Sequence, residues 1–301
     1  MNGVLIIDKP SGLTSHDVVN GVRRILGQRS VGHLGTLDPL ATGVLPLVIG
    51  NLTRLAQFYT TSEKVYEGVI RFGFATDTYD AEGEPITPPT SVQVTLEQCR
   101  DLAARFQGLI EQIPPPFSAK KIHGVPAYKL ARKHKDVSLK PVQVEIKEFE
   151  ILGAERDCAS FRARVASGTY MRSVAHEMGQ QMGCGAHLAS LRRTALAEFE
   201  LAEAHPLDEL ESAAKAERVN EIFVHPRKLL PQFPSVTATE EMAARIRSGR
   251  TVNLPELSRA RQVKVFFGQR ELIAVATRVA GTLFHPKIVL TAGEPQLARN
   301  T

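Results

Sequence analysis

Residues 32–43 constrain this 301-residue chain more than any other segment. They read Gly-His-Leu-Gly-Thr-Leu-Asp-Pro-Leu-Ala-Thr-Gly, and Asp38 is the single carboxylate within residues 18–62. The glycines at positions 32, 35 and 43 permit positive φ angles or a close approach of another chain segment. Pro39 favours an extended backbone at Asp38. The segment therefore predicts a rigid loop that presents one ionised carboxylate, and the alternative is that Asp38 merely caps an Asp-Pro turn.

Bulk composition restricts the class of protein. Hydrophobic residues make up 43% and charged residues 23%, which is typical of globular proteins. A chain of this length predicts one large domain and a small one. Its first residues do not resemble a signal peptide, and no apolar run is long enough to cross a membrane. The cysteines, at positions 99, 158 and 184, form no CxxC pair, which argues against a disulfide framework or zinc site and favours a reducing cytoplasm.

The formal net charge is +5, and it is unevenly distributed along the chain. Residues 1–235 hold 27 basic and 27 acidic side chains, whereas residues 236–301 hold 10 basic and 5 acidic ones. Within the balanced part, residues 112–135 contain six lysines or arginines and no acid. Separate basic surfaces on a nearly neutral body indicate a polyanionic partner contacted at several places. Solvated helix faces are the alternative interpretation.

Apolar periodicity and turn residues predict a mixed order of strands and helices. Strands are predicted at residues 3–8, 44–49, 66–74, 142–152, 160–165, 262–267 and 271–277. Helices are predicted from Thr14 or Ser15 to about Gly27, and at residues 96–106, 128–135 and 169–182. Residues 76–89 are predicted to form a polar loop. Residues 226–234 contain three prolines, which predicts a linker.

Chemistry by one carboxylate at neutral pH requires that carboxylate to be ionised, so a nearby cation is expected. Arg172 is the best candidate, because residues 158–176 contain no acid that would pair with it locally. It lies at a predicted strand-to-helix junction. A phosphate-binding or surface position is the alternative for this arginine.

Residues 32–46 closely resemble the signature of the tRNA pseudouridine synthases of the TruB type. Four further segments match this family in the same order, so the resemblance covers essentially the whole chain. They are Lys64-Val65-Tyr66, the segment from Pro115 through Gly124, Gly168-Thr169-Tyr170-Met171-Arg172-Ser173, and Leu191-Arg192-Arg193. The resemblance implies a mixed α/β (α+β) fold, in which a mainly antiparallel mixed sheet carries flanking helices.

The resemblance also implies the catalytic residues. Asp38 is implied to be the catalytic aspartate, Arg172 to pair with it, and Tyr66 to lie under the target base, where its hydroxyl relays a proton. Without the resemblance, a tyrosine at the start of a strand is more often a core residue. Whether Asp38 attacks the sugar or the base, or removes a ribose proton, is left open.

Residues that bind the RNA substrate follow from the same resemblance. His33 is implied to hold the target base out of the stack, and Leu191 to line the uracil pocket. Without the resemblance, His33 would be interpreted as a hydrogen-bonded structural residue and Leu191 as a core residue. The remaining implied contacts are Tyr170 near the aspartate, Arg54 at a phosphate, and Lys120, Lys121 and Arg132 along the RNA backbone.

Two domains are expected from these observations. Residues 1–230 are predicted to form the catalytic domain, with an RNA-gripping insertion at about residues 118–140. Residues 235–301 resemble a PUA domain, a small RNA-binding β-barrel. The alternative is a folded tail that packs on the main domain.

The function that the resemblance implies is conversion of the T-loop uridine of tRNA, U55, to pseudouridine, with the base flipped into a pocket. The isomerisation is redox-neutral, so neither a metal nor a cofactor is expected. We expect a cytoplasmic monomer that contacts the T-arm and elbow of tRNA and needs no membrane or obligate protein partner. The alternatives are a non-catalytic tRNA-binding or RNA-folding protein and a guide-RNA-dependent relative. A glycosidase is disfavoured, because the sequence offers no second carboxylate beside Asp38.

Overall fold

The computed structural model describes residues 1–118, 120–122, 124–131, 133, 139–256 and 258–290, with the backbone alone for Lys121 and Pro126. The strands of this part are β1 (Gly3–Lys9), β2 (Val31–His33), β3 (Thr42–Ile49), β4 (Lys64–Phe72), β5 (Gly108–Gln112), β6 (Lys121–Ile122), β7 (Val125–Pro126), β8 (Val142–Glu155), β9 (Cys158–Val165), β10 (Ala186–Leu196), β11 (Phe199–Glu200), β12 (Ser235–Ala238), β13 (Val252–Asn253), β14 (Gln262–Phe267), β15 (Glu271–Ala280) and β16 (Leu283–Val289). The α-helices are α1 (Ser15–Leu26), α2 (Leu96–Ala104), α3 (Ala127–Ala131), α4 (Met171–Gln181), α5 (Leu207–Lys215) and α6 (Glu240–Arg247).

The larger sheet of the described residues has nine strands. Its order is β1-β3-β10-β4-β9-β8-β5, with β2 added to β3 and β11 added to β10. The pairs are antiparallel except for β3 and β10, which run parallel where Thr42 meets Arg192 and Gly43 meets Arg193. One face buries an apolar core beneath α1, α2, α4 and α5. This confirms the expected mainly antiparallel mixed sheet with flanking helices.

Helix α1 begins and ends where the sequence predicts. The Thr14 side chain accepts the backbone N–H of Asp17, and the Asp17 carboxylate accepts the N–H of Thr14, which completes a capping box. Gly27 ends the helix with a φ of 59°, in the left-handed region. Val18, Val19 and Val22 form its buried face. The capped helix holds its first residue, Ser15, beneath the irregular loop of residues 34–41, which contains Asp38.

Smaller departures from the predicted elements have local causes. The sequence missed β10, because Ser190, Arg192 and Arg193 interrupt its apolar pattern. The predicted helix at 128–135 begins at Ala127 and extends to Ala131, while 132 and 134–138 lie outside the described residues. No described helix is long and apolar enough to cross a membrane.

The C-terminal sheet of the described residues has five strands in the order β12-β14-β15-β16-β13, with α6 packed against it. It is a curled, PUA-like half-barrel. Only β14 and β15 were predicted from sequence. β12 and β13 are too short to show a periodic pattern, with four and two residues. β16 contains Pro286, a residue that argues against an assignment as strand.

The C-terminal sheet shares part of its core with the larger sheet. Phe266, Val275 and Ile288 lie in one buried cluster with Leu34 and Leu196. A second cluster belongs to the C-terminal sheet alone. The division of the chain at residues 230–235 stays a prediction, since the core crosses it.

Gly43 supplies a specific test of how the two parallel strands meet. Its φ is 97°, and a Cβ at this position would lie 2.2 Å from the carbonyl oxygen of Arg193. Gly43→Ala should therefore lower the free energy of unfolding by at least about 3 kcal/mol, since strain and backbone overlap add together. Urea unfolding measures this change.

The matched control is Gly249→Ala. Gly249 has a φ of 75°, but nothing lies within 4 Å of the added Cβ. Its cost should be the conformational one alone, about 1–2 kcal/mol. Equal decreases in stability at the two positions would contradict the close approach of Gly43 to Arg193.

Candidate active site

The 34–41 loop is held by side chains from the first strand and helix. The Ser15 hydroxyl donates to the Leu37 carbonyl at 3.0 Å and accepts the Leu37 N–H at 2.8 Å. The buried Lys9 ammonium donates to the Pro39 carbonyl at 3.2 Å, and burial lowers the pKa of Lys9 to about 8. The loop therefore has a fixed backbone although it forms no regular structure.

Arg193 fastens the other end of this loop. Its Nε donates to the Val44 carbonyl at 2.7 Å, Nη2 to Gly35 at 2.9 Å and Nη1 to Thr36 at 3.3 Å. The side chain is fully buried. Burial lowers the pKa of Arg193, while the hydroxyl of Tyr66, hydrogen-bonded to it, acts in the opposite direction. One guanidinium thus connects β10, the loop and β4.

The glycines of this segment serve different purposes. Gly43 has the positive φ that the sequence predicted. Gly35 has no positive φ, but a Cβ there would lie 3.0 Å from Leu196 and 3.4 Å from Nη1 of Arg193. Gly32 needs neither property, because its added Cβ would meet only Val48, at 3.8 Å. The expectation for Gly32 is wrong.

Asp38 forms an ion pair with Arg172, as expected. The Arg172 Nε lies 2.9 Å from Oδ2 of Asp38, although its N–H is not aligned as a hydrogen bond. The Asp38 side chain is 37% exposed and that of Arg172 only 5%. The buried guanidinium therefore holds the carboxylate from behind and leaves part of it accessible.

Arg172 also contacts a second carboxylate. Its Nη1 lies 3.6 Å from Oδ2 of Asp80 and donates to the Thr78 carbonyl at 3.0 Å, while Nη2 donates to the Phe117 carbonyl at 2.9 Å. The Asp80 side chain is 5% exposed and accepts the Thr78 hydroxyl at 2.6 Å. The expectation that no second carboxylate lies near Asp38 is therefore wrong. Asp80 is buried as a partner of the guanidinium, so it is not a second acid for a substrate.

The start of α4 places Arg172 at this point. The buried Gln112 accepts the Tyr170 N–H at 2.9 Å and donates to the Tyr170 carbonyl at 3.1 Å. The Ser173 hydroxyl donates to the Ile113 carbonyl at 2.7 Å. These contacts tie the first turn of the helix to β5 and fix the direction of the Arg172 side chain.

A cavity of about 500 Å³ lies in front of the Asp38 carboxylate. Its volume is within the range of small-molecule sites, about 300–1,000 Å³. Six residues that the sequence predicted for the site line it together: His33, Asp38, Tyr66, Tyr170, Arg172 and Leu191. A larger cleft, of about 720 Å³, lies elsewhere along β4 and contains none of them.

Two ionisable side chains of the cavity, Tyr170 and His33, are uncharged at neutral pH. Burial, and secondarily the Asp38 carboxylate, raise the pKa of Tyr170, which stays a phenol at neutral pH. Burial, and secondarily the charge on Arg193, lower the pKa of His33, which stays uncharged. Both side chains can therefore donate hydrogen bonds without adding charge.

Other predicted substrate-binding residues lie away from the cavity. Arg54 donates to the Val289 carbonyl of β16 at 2.7 Å, so it links the two sheets. Lys120 precedes the β6–β7 hairpin, where its carbonyl accepts the N–H of Ala127. The Lys121 side chain and all of Arg132 lie outside the described residues.

Three residues of the site were not predicted: Lys64, Asp80 and Arg193. The acids around Asp80 obscure it in the sequence, since residues 77–84 contain four carboxylates. Lys64 and Arg193 both lie in motifs quoted above, but no role was predicted for either. The backbone carbonyls that Arg193 binds leave no trace in a sequence pattern. Among the described residues, no group of three or more His, Cys, Asp or Glu side chains is arranged to hold a metal ion.

The fold resembles solved structures along almost its full length. A chain in a crystal structure of a Cbf5–Nop10–Gar1 complex matches with a TM-score of 0.70 and 24% identity, over 96% of this chain and 85% of that chain. A structure of an H/ACA RNP bound to a substrate RNA containing 2′-deoxyuridine matches with a TM-score of 0.71, 23% identity and the same coverage. At this identity, the likeness establishes the fold alone.

Family models establish the class of protein as a pseudouridylate synthase. The N-terminal domain model of the TruB family pseudouridylate synthases matches residues 23–171, and the C-terminal domain model of tRNA pseudouridylate synthase B matches residues 172–230. The tRNA pseudouridine synthase B of Solibacter usitatus (strain Ellin6076) is 51% identical over 96% of this chain and 100% of that protein. That of Azoarcus sp. (strain BH72) is 36% identical over 97% and 96%. This chain belongs to the TruB family.

Two neighbouring arginines allow a matched test of the loop's anchor. Arg193→Met leaves three carbonyls without this donor, that of Val44 in a buried hydrogen bond and those of Gly35 and Thr36 in partly buried ones, and a buried unpaired group costs about 1–3 kcal/mol. We expect the free energy of unfolding to fall by at least about 3 kcal/mol. Arg192→Met removes a half-exposed ion pair with Asp8, worth at most about 1 kcal/mol. Similar decreases in the two variants, measured by urea unfolding, would contradict the role of Arg193.

Proposed function

We propose that this chain converts a uridine in the T-loop of tRNA, conventionally U55, to pseudouridine. The observation that carries the proposal is the Asp38 carboxylate, which reaches the cavity while the buried Arg172 holds it from behind. The relatives named tRNA pseudouridine synthase B support tRNA as the substrate.

The reaction breaks the bond between N1 of uracil and C1′ of the ribose, turns the free base, and joins C5 to C1′. The bonding electron pair leaves with the base, and after the new bond has formed C5 loses a proton while N1, now free of the sugar, gains one. Asp38 acts as the anionic group, either as a nucleophile or by removing a ribose proton. Arg172 holds this carboxylate in place through the ion pair.

The other residues of the cavity orient the base. The ring of Tyr66, 8% exposed, offers a flat surface on which uracil can stack, worth about 1–3 kcal/mol. Leu191 supplies an apolar wall of the same cavity. Tyr170, held neutral beside Asp38, can donate a hydrogen bond to the sugar. Together they hold the base while its bond to the ribose is exchanged.

The target nucleotide must leave its stack to reach this site. Asp38 lies in a concave cavity that stacked RNA does not enter, so the base is flipped into it. His33 lines the same cavity from β2, and in the sheet β3 and β10 lie between β2 and β4, the strand of Tyr66. The His33 side chain can occupy the place that the base leaves. Recognition of the T-arm combines the shape of the RNA with contacts to its unstacked bases.

RNA contacts outside the cavity come from basic residues. The segment around Lys120, Lys121 and Arg132 and the basic C-terminal sheet can both follow the phosphate backbone of a T-arm. We propose that the enzyme acts as a cytoplasmic monomer and needs no protein partner. The charge excess of residues 236–301, 10 basic against 5 acidic side chains, supports the RNA contacts of the C-terminal sheet.

Asp38→Asn separates catalysis from binding. The amide has nearly the same shape but is neither an anionic nucleophile nor a base. We expect the single-turnover rate to fall below about a thousandth of the wild-type rate, with tRNA affinity nearly unchanged. An unmodified tRNA transcript and mapping of pseudouridine measure the rate, and filter binding measures affinity.

The control variant is Asp101→Asn, on the exposed side of α2, which should be fully active. Pseudouridine formation by Asp38→Asn at more than about a thousandth of the wild-type rate would exclude the catalytic role of Asp38. If the wild-type enzyme bound tRNA and formed no pseudouridine, the chain would be a non-catalytic tRNA-binding protein instead.

Salt dependence tests the C-terminal sheet as an RNA-binding surface. Arg259 and Arg261 are exposed, and removing one cation that neutralises a phosphate should reduce the slope of log K against log salt by about 0.7–0.9. We expect Arg259→Gln with Arg261→Gln to flatten the slope and leave the single-turnover rate of bound tRNA unchanged. Arg218→Gln, which removes a residue paired with Glu221, is the control. An unchanged slope in the double variant would place these arginines away from the RNA.

A further inference from the structure

Lys64 lies in the cavity although the reaction described above does not use it. It is the first residue of β4, two positions before Tyr66, so both side chains lie on the same face of the strand. Both line the cavity that contains Asp38. The Lys64 Nζ donates to the Ser62 carbonyl at 2.7 Å. An ammonium has three N–H donors, so two can reach a ligand in the cavity.

Positive charge on this side of the cavity is not neutralised by the protein. Within the described residues, no carboxylate lies within 4 Å of Lys64 or Arg193; the ion pairs lie elsewhere. A Cβ on Gly35 would lie 3.9 Å from Cε of Lys64 and 3.4 Å from Nη1 of Arg193, so both cations border the same glycine. Asp38, the cavity's own carboxylate, is already paired with Arg172.

The two cations disfavour each other in the absence of an anion. Burial, and secondarily the charge on Arg193, lower the pKa of Lys64 to about 8. The ammonium is still the main form at pH 7. An anionic oxygen next to Lys64 would compensate the cost of burying this charge.

We propose that Lys64 donates a charge-assisted hydrogen bond to an anionic oxygen of the flipped nucleotide. This rests on the proposed function. Two groups of that nucleotide have the required chemistry: its phosphodiester, and the uracil oxygens that become negative when the N1–C1′ electron pair leaves with the base. Lys64 transfers no proton in either case. The uracil charge is discharged when C5 bonds to C1′, and the proton that C5 then loses is matched by one that N1 gains.

Lys64→Met and Lys64→Arg test the proposal on a T-arm stem-loop at pH 7. The methionine variant should lose about tenfold to a hundredfold in kcat/KM, the usual effect of one charged hydrogen bond. The arginine variant should recover most of it. Lys215→Met, at an exposed residue paired with Glu211, is the control and should match the wild type.

The source of the anionic oxygen is identified by which quantity changes. If it is the phosphodiester, Lys64→Met weakens binding, and a methylphosphonate at the flipped nucleotide abolishes the difference between the variant and wild type. If it is uracil, the Kd is unchanged and the single-turnover rate falls. A change below twofold in both quantities would overturn the proposal, provided that the wild type forms pseudouridine. A wild type that forms none would contradict the proposed function instead.

The pH profile gives a readout that a structural role would not change. As pH rises through about 8, Lys64 loses its proton, so kcat/KM of the wild type should fall more steeply over this range than that of Lys64→Arg. Lys9 has a similar pKa but is present in both the wild type and Lys64→Arg, so the difference between their pH profiles is due to Lys64. The other ionisable groups that line the cavity are common to both enzymes, as is Arg193 behind it; they are His33, Asp38, Tyr66, Tyr170 and Arg172. Superimposable profiles would overturn the proposal.

Discussion

The site depends on the hydrogen bonds of Arg193 to three backbone carbonyls. A carboxylate on an irregular loop can act at a defined point only if that loop has one conformation. The backbone N–H and C=O groups of such a loop are not paired within a helix or sheet, so other groups must bind them. Arg193 binds carbonyls of Gly35, Thr36 and Val44, while Ser15 binds Leu37 from the other side. Because both come from regular elements, the loop inherits the rigidity of β10 and α1.

Electrostatics then set what the rigid loop can do. Arg172 is shared by an accessible carboxylate, Asp38, and a buried one, Asp80. With a single carboxylate the guanidinium would form a neutral pair; with two, the group as a whole carries one negative charge. Lys64 adds positive charge on another side of the cavity, and the fully buried Arg193 lies behind it next to Gly35. A nucleotide therefore meets an anionic group at one point and the Lys64 ammonium at another.

The residues that face the cavity were predicted from the sequence better than the residues that hold the cavity's walls in place. The family motifs identified Asp38, Tyr66, Arg172 and Leu191, and the structure brings these together. Charge context alone left Arg172 ambiguous, because its partners are distant in the chain. Arg54 was predicted to contact a phosphate, and this stays a prediction; its hydrogen bond to β16 was not predicted, since a basic residue near a motif carries no information about the other sheet.

Elements were predictable where their pattern was local. The capping box of Thr14 and Asp17 and the left-handed Gly27 define α1 within a few residues. β10 and β16 were missed, because one contains arginines that bond across the sheet and the other contains a proline. Both owe their conformation to neighbouring strands rather than to their own sequence.

The core shared between the two sheets connects RNA binding with the geometry of the site. Leu34, the first residue of the 34–41 loop, is buried in one cluster with Phe266 and Ile288 of the C-terminal sheet. The buried Lys264 ammonium donates to the Leu229 carbonyl at 2.6 Å and so fixes the segment between the sheets. Removing the C-terminal sheet would expose apolar surface beneath the loop as well as remove basic residues. Substitutions of exposed arginines, which leave this core intact, therefore separate the contribution of RNA contacts from that of the loop's support.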